Sequence, residues 1–162
     1  MSKKILKADF VFVYAIRGVN LLYWNKRIAA MKKGKKMERY KVILVDDEAE
    51  VIDIIEKKIH WNDLGFEVAG SATNGVKALE LVEKLQPDVV LTDIKMPYMD
   101  GLELSRRLNR EYPNIYIMLC TGFDEFEYAK EAVHLEIKEY MLKPVNATEL
   151  SESLTNLKHT LD

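Results

Sequence analysis

Five side chains able to accept and hold a phosphoryl group each stand where an apolar run of the sequence stops. Asp46 and Asp47 follow the run 42–45, Asp93 follows 89–92, Thr121 follows 117–120 and Lys143 follows 140–142. In a parallel sheet such stops lie along one edge, where ligands bind, so the five read as one pocket. The Asp93 carboxylate is the best nucleophile, able to attack an activated phosphorus and form an acyl phosphate. Lys143 offers a point positive charge for one phosphoryl oxygen, and the Thr121 hydroxyl can donate a hydrogen bond to another. Three uncompensated carboxylates would repel one another and resist ionisation, which calls for a cation. Mg²⁺ suits ligands that are all oxygen and leaves coordination positions for water and phosphate. Zinc does not fit, because His60, His134 and His159 are too scattered to form a ligand set. No G-x-x-x-x-G-K-[ST] segment cradles a nucleotide, so ATP hydrolysis is not expected.

Blander readings stand beside these. Asp46 and Asp47 also suit the N-cap of a following helix. Pro97 and Pro144 could simply stop strands, and the Lys143–Pro144 bond could instead be cis and fix where the ammonium points. Tyr140 and Cys120 lie in apolar runs where core packing is the default.

The elements that must position the site alternate along the chain from residue 40 onward. Strand-like runs at 41–45, 65–70, 89–92, 115–120 and 139–142 are separated by helical stripes at 48–59, 76–85, 102–108 and 125–135 and followed by one at 147–161. Asn146 or Thr148 could cap the last helix. Strands alternating with helices predict an α/β fold with a parallel sheet. Cys120 is the sole cysteine, which excludes an internal disulfide framework and suits a reducing, cytoplasmic compartment.

The net charge of −2 conceals a split. Residues 1–36 hold ten Lys or Arg and one acid, giving +9; the remaining 14 basic and 25 acidic residues give −11. The acidic part would repel nucleic acid, so no DNA contact is expected from it. The apolar run 10–16 is far shorter than the roughly 20 residues that span a bilayer. No small-residue cleavage pattern follows it, and no membrane role is assigned.

With these residues assembled, the chain from Tyr40 to about Leu161 resembles the response-regulator receiver domain of bacterial two-component systems. The resemblance implies a doubly wound, flavodoxin-like sheet of five parallel strands in the order 2-1-3-4-5. It implies that Asp93 is phosphorylated and that Asp46, Asp47 (the more direct ligand), Asp93 and the backbone carbonyl of Lys95 hold Mg²⁺. It makes Thr121 the switch hydroxyl, Tyr140 the switch aromatic and Lys143 the phosphate-binding lysine, and it favours a cis Lys143–Pro144 bond. The segments 61–68, 93–102 and 122–129 are similar to receivers that precede an AraC/XylS-type helix-turn-helix domain.

The implied function is a phospho-acceptor switch that takes its phosphoryl group from a sensor histidine kinase, with room for a homodimer on phosphorylation. It would stand alone or form the receiver part of a transcriptional regulator, and would not be an enzyme. The alternatives are a metal-dependent phosphotransferase or phosphatase on the same fold, and a scaffold that has lost phosphorylation. Short loops after the strands weigh against the first, and the full set of five side chains weighs against the second. The receiver is expected over 38–162. Residues 1–36 are expected to lie outside it or to reflect a misplaced start, because Lys-Lys-Gly-Lys-Lys before Met37 has purine-rich codons like a ribosome-binding site. If native, they would instead pack on the domain as a helix or touch a membrane surface.

Overall fold

Strand β1 (Tyr40–Val45) is apolar and buried over nearly its whole length, as befits a strand covered on both faces. The computed structural model describes residues 38–122, 126–137 and 139–162, together with residue 29. The chain divides into two units, Met1–Glu38 and Arg39–Asp162, and the sheet belongs to the second. The expectations for residues 1–36 lie outside the described residues.

β1 is joined by β2 (Phe66–Ala72), β3 (Val89–Asp93), β4 (Tyr116–Thr121) and β5 (Glu139–Leu142). All pairings are parallel and the order is β2-β1-β3-β4-β5, as expected. The crossovers carry α1 (Ala49–Lys58), α2 (Gly75–Leu85), α3 (Gly101–Glu111) and α4 (Phe126–His134), and α5 (Ala147–Leu161) follows β5. Strand side chains alternate between the two faces, which divides the core in two. On one face Val42, Leu44, Leu91, Met118 and Cys120 meet Ile52 and Ile55 of α1 and Leu150, Leu154 and Leu157 of α5. On the other, Ile43, Val45, Val90 and Leu119 meet Ala78 and Val82 of α2, Leu102, Leu104 and Leu108 of α3, and Ala132 of α4.

Side-chain caps start three of the helices. Asn74 accepts from the Lys77 amide (2.9 Å), Asp100 from Glu103 (2.8 Å), and Asn146 from Thr148 and Glu149 (2.9 and 3.1 Å). Each such cap contributes about 1 kcal/mol. Asn146 is therefore the cap of α5, and Thr148 lies inside the helix.

Two features depart from the sequence expectation. β2 runs two residues further than the stretch 65–70, and its burial does not alternate cleanly. Val42 pairs with Val68 but Ile43 pairs with Gly70, so the register slips by one residue at Ala69 and the second half of the strand turns relative to the first. Before β2 the chain also makes a single helical turn, Trp61–Leu64, too short for any periodicity to reveal. Trp61 is buried there and its indole N–H donates to the Glu56 carbonyl at the end of α1 (3.1 Å). Gly65 closes the turn with φ +84°, a left-handed conformation that glycine adopts without penalty. Among the described residues no helix is long and apolar enough to cross a membrane.

Candidate phosphoryl-acceptor site

The parallel register carries the five chemical side chains to one edge. Val45 pairs with Thr92, Asp93 with Cys120, and Thr121 with Leu142, so the residues just beyond these positions emerge together. The Asp46 amide still donates to Ala72 of β2 (3.1 Å), and the Lys143 amide donates to the Thr121 carbonyl (2.7 Å), which anchors both ends of the row. The Lys143–Pro144 peptide is cis.

The Lys143 ammonium lies 2.6 Å from Asp46 Oδ2 and 3.2 Å from Asp93 Oδ2. Asp46 Oδ1 accepts from the Glu48 amide (2.9 Å) and Asp93 Oδ1 from the Ile94 amide (2.8 Å). Asp46 thus folds back onto the loop, and Glu48 occupies the N-cap position of α1 without a side-chain cap bond. The capping alternative for the acid pair does not hold. Asp46 and Asp93 are buried and Asp47 is exposed. One carboxylate oxygen from each of the three lies within 4.8 Å of the others.

Burial pushes the Asp93 carboxyl up to about 6; the Lys143 charge pulls it down and the Asp46 charge pushes it up. Burial pulls the Lys143 ammonium down, but its hydrogen bond to Asp46 and the charges of Asp93 and Asp46 outweigh that and leave it raised. A buried carboxylate that resists ionisation, next to an exposed one with no nitrogen or sulfur donor in the cluster, fits a hard divalent cation such as Mg²⁺. Lys95 lies two residues past Asp93 in the β3–α3 loop. Its side chain is exposed and its ammonium stands 5.8 Å from the centre of the Tyr128 ring. Asp47, Ile94, Lys95, Met96, Asp100 and Tyr128 line a cleft of about 390 Å³.

Thr121 is fully buried, and its Oγ1 has no hydrogen-bond partner among the described residues. Tyr140 is half-buried against the second apolar cluster. Tyr140 pairs with Leu119, and Leu119 and Thr121 alternate onto the same face of β4, so Thr121 and Tyr140 share one side of the sheet. Cys120 points to the other face, where burial pushes its thiol up to about 12, as expected of a packing residue. His60, His134 and His159 are exposed and take no part in the acidic cluster.

Sequence reasoning assigned no role to Gly101. A Cβ there would lie 2.0 Å from the Asp93 carbonyl oxygen, and the Gly101 amide donates to the Ile94 carbonyl (2.8 Å). The signal was available in Asp100-Gly101 just before a helical stripe, where the turn must pass close to a strand end. Tyr128 and Met96 were likewise unassigned, since only folding brings α4 beside the β3–α3 loop.

The family model of the response regulator receiver domain matches residues 42–155. The chain is 42% identical over 118 residues to the uncharacterized transcriptional regulatory protein YesN of Bacillus subtilis (strain 168), an alignment spanning 73% of this chain and 32% of YesN. Among solved structures it is similar to the receiver domain of AraT, a response regulator from Geobacillus stearothermophilus. The TM-score there is 0.72 with 39% identity, over 75% of this chain and 95% of that one. A two-component transcriptional regulator AraC from Clostridium phytofermentans ISDg gives a TM-score of 0.68 with 30% identity, over 76% and 99% of the two chains. The chain belongs to the response-regulator receiver domain family. It is a receiver of the two-component type, similar to those of AraC-type regulators, and it spans about a third of the length of YesN.

Proposed function

We propose that Asp93 is the phosphoryl acceptor of this receiver, with a histidine kinase as donor and Mg²⁺ as cofactor. The observation that carries the reading is the buried Asp93 carboxylate, ringed by Asp46, Asp47 and Lys143 at the end of β3. An Asp93 oxygen forms a bond to phosphorus while the bond from phosphorus to the donor's imidazole nitrogen breaks, its electron pair leaving on that nitrogen. Asp46, Asp47, Asp93 and the Lys95 backbone carbonyl would hold the cation, which when bound neutralises charge on the phosphoryl oxygens. Lys143 would then shift its ion pair from Asp93 toward a phosphoryl oxygen, since charge neutralisation and positioning are most of what phosphoryl transfer needs.

The Thr121 hydroxyl gains the partner it lacks by turning to the phosphate, and Tyr140 turns inward into the space released. That repacking would change the face formed by α4, β5 and α5, a discrete switch of the kind small shifts can set off. The domain itself would run over 38–162, act in the cytoplasm without contacting nucleic acid or membrane, catalyse no turnover of its own, and pair with a second copy when phosphorylated. A DNA-binding output domain would complete the regulator. The phosphotransferase or phosphatase alternative is not favoured, because the relatives are transcriptional regulators.

Acetyl phosphate offered to wild type and to Asp93→Ala, followed by intact mass, tests the assignment. Wild type should gain one phosphoryl group only with Mg²⁺, and Asp93→Ala none. Equal labelling of the two, or labelling untouched by a chelator, would overturn it.

A further inference from the structure

The loop that carries Ile94, Lys95 and Met96 into the cleft is held at points outside the acidic cluster. Its end returns to its start where the Gly101 amide donates to the Ile94 carbonyl (2.8 Å). Its middle is tied to another part of the chain, where the Gly75 amide at the start of α2 donates to the Met99 carbonyl (3.2 Å). Close approach is what requires glycine there. A Cβ on residue 75 would stand 2.7 Å from Met99 Cγ, 2.8 Å from its carbonyl oxygen and 2.9 Å from its Cβ, nearer than real Cβ atoms come. Buried Asn74 caps the Lys77 amide (2.9 Å) and so fixes where α2 begins, and the Met99 side chain is buried in the second apolar cluster.

The same loop carries backbone strain. The Met99 amide reaches back to the Pro97 carbonyl (2.8 Å) across Tyr98, whose φ of +68° closes a tight turn of the rare kind in which one residue separates donor from acceptor. A bulky residue at positive φ is an outlier, and such strain persists only where the surroundings over-determine it. The Tyr98 ring is 91% exposed, so its burial does not offset the strain. The turn is therefore imposed from outside, by Met99 seated on Gly75 and by Gly101 seated on Ile94.

We propose that the contact of Gly75 with Met99 is a positioning lock for the cation site: it holds the middle of the loop against α2, sets the place of the Lys95 backbone, and makes cation affinity depend on a helix that supplies no ligand. The inference rests on the reading of Asp46, Asp47, Asp93 and the Lys95 carbonyl as the Mg²⁺ site. A carbonyl already held in place leaves less ordering for the binding step, and groups that orient a ligand from behind govern affinity nearly as much as the ligand itself. Gly75 and Met99 are positioning residues, acting through the loop alone.

Cation binding is measured on the full chain with no phosphoryl donor present, by paramagnetic resonance of Mn²⁺ with Mg²⁺ as competitor. The chains compared are wild type, Gly75→Ala, Met99→Ala, Glu80→Gly and Asp47→Asn, each shown to be folded by circular dichroism. Gly75→Ala should bind about 10-fold more weakly, the lower end of what losing the support behind a metal ligand costs. Met99→Ala loosens the same contact from the loop side without adding a clash, and should fall between Gly75→Ala and wild type. Glu80→Gly weakens the exposed middle of α2 and should bind as wild type. In Gly75→Ala, half-maximal labelling by acetyl phosphate should need about 10-fold more Mg²⁺ while the rate at saturating Mg²⁺ stays within about twofold of wild type, a split that partial unfolding does not produce. Should Gly75→Ala not fold, Met99→Ala decides. Wild-type affinity in the folded Gly75 and Met99 variants, or an equal fall in Glu80→Gly, would overturn the lock and leave the site standing. Asp47→Asn should lose the binding; wild-type affinity there would place the cation elsewhere and remove the site reading and this one together.

Discussion

At the scale of single residues, the buried hydroxyl of Thr121 separates stability from response. The Thr121 hydroxyl is fully buried without a partner among the described residues, and such a group costs about 1–3 kcal/mol relative to a satisfied one. Thr121→Val keeps the shape and the β-branch suited to a strand end, and it removes the unsatisfied group. The variant should therefore match or exceed wild type in its denaturant midpoint, by up to about 1 kcal/mol, while still accepting a phosphoryl group at Asp93. Amide exchange across α4, β5 and α5 should then change less on phosphorylation than in wild type. A variant that is clearly less stable, or that responds as fully as wild type, would show that the hydroxyl is neither costly at rest nor needed for the switch. The five chemical side chains were legible in the sequence because each ends an apolar run, and run ends of parallel strands share an edge. The state of those groups was not legible. The burial that raises Asp93, the double ion pair of Lys143 and the unpartnered Thr121 Oγ1 all depend on neighbours that only the packed sheet supplies.

Among the elements, the β3–α3 turn is the tightest constraint on the site. Gly101 begins α3 directly against the Asp93 backbone, and a methyl group there would need the Asp93 carbonyl to move by more than an ångström to reach ordinary contact. Backbone cannot yield as a flexible side chain does, so Gly101→Ala should cost about 3 kcal/mol or more, at the high end for a single added methyl. Because the displaced group belongs to Asp93 itself, labelling by acetyl phosphate should also slow beyond what lost stability accounts for at temperatures where the variant is folded. A thermal midpoint and labelling rate equal to wild type would show that the close approach is absent in solution. The opposite end of α4 is tied to α3: Arg106 pairs with Glu131, and Asn109 donates to the Leu135 carbonyl (2.7 Å). Exposed ion pairs of this kind contribute at most about 1 kcal/mol, so the burial of Ala132 in the apolar cluster that also holds Leu104 and Leu108 does more to seat the helix. Among the described residues, the five strands were legible mainly as short apolar runs bounded by turn residues, and the five longer helices as stripes of period 3.6. The turn at Trp61–Leu64 and the register slip at Ala69 were not, because one turn has no period and a slip is a property of two strands at once.

For the molecule as a whole, both halves of the core draw their buried residues from Tyr40 onward, and the first strand of the sheet starts at that residue. Each face of the sheet is covered by its own helices, α1 and α5 on one side and α2, α3 and α4 on the other. A unit with a continuous five-stranded sheet, two filled faces and three side-chain-capped helices has what independent folding requires, and 120-odd residues is enough chain to bury such a core. The change of charge at the same point, from +9 before Met37 to −11 after it, marks the same boundary in composition. The domain assignment is thus a proposal with a direct consequence: a chain beginning at Met37 should unfold in one cooperative transition and take one phosphoryl group at Asp93 with Mg²⁺, at the rate of the full chain. Denaturant unfolding followed by Trp61 fluorescence suits the first measurement, because that indole is buried against the end of α1 and is the sole tryptophan left after the cut. Intact mass suits the second. A shortened chain that fails to fold, or folds but labels slowly, would place residues 1–36 within the working unit, and sequencing the N-terminus of the native protein would show whether they are made at all.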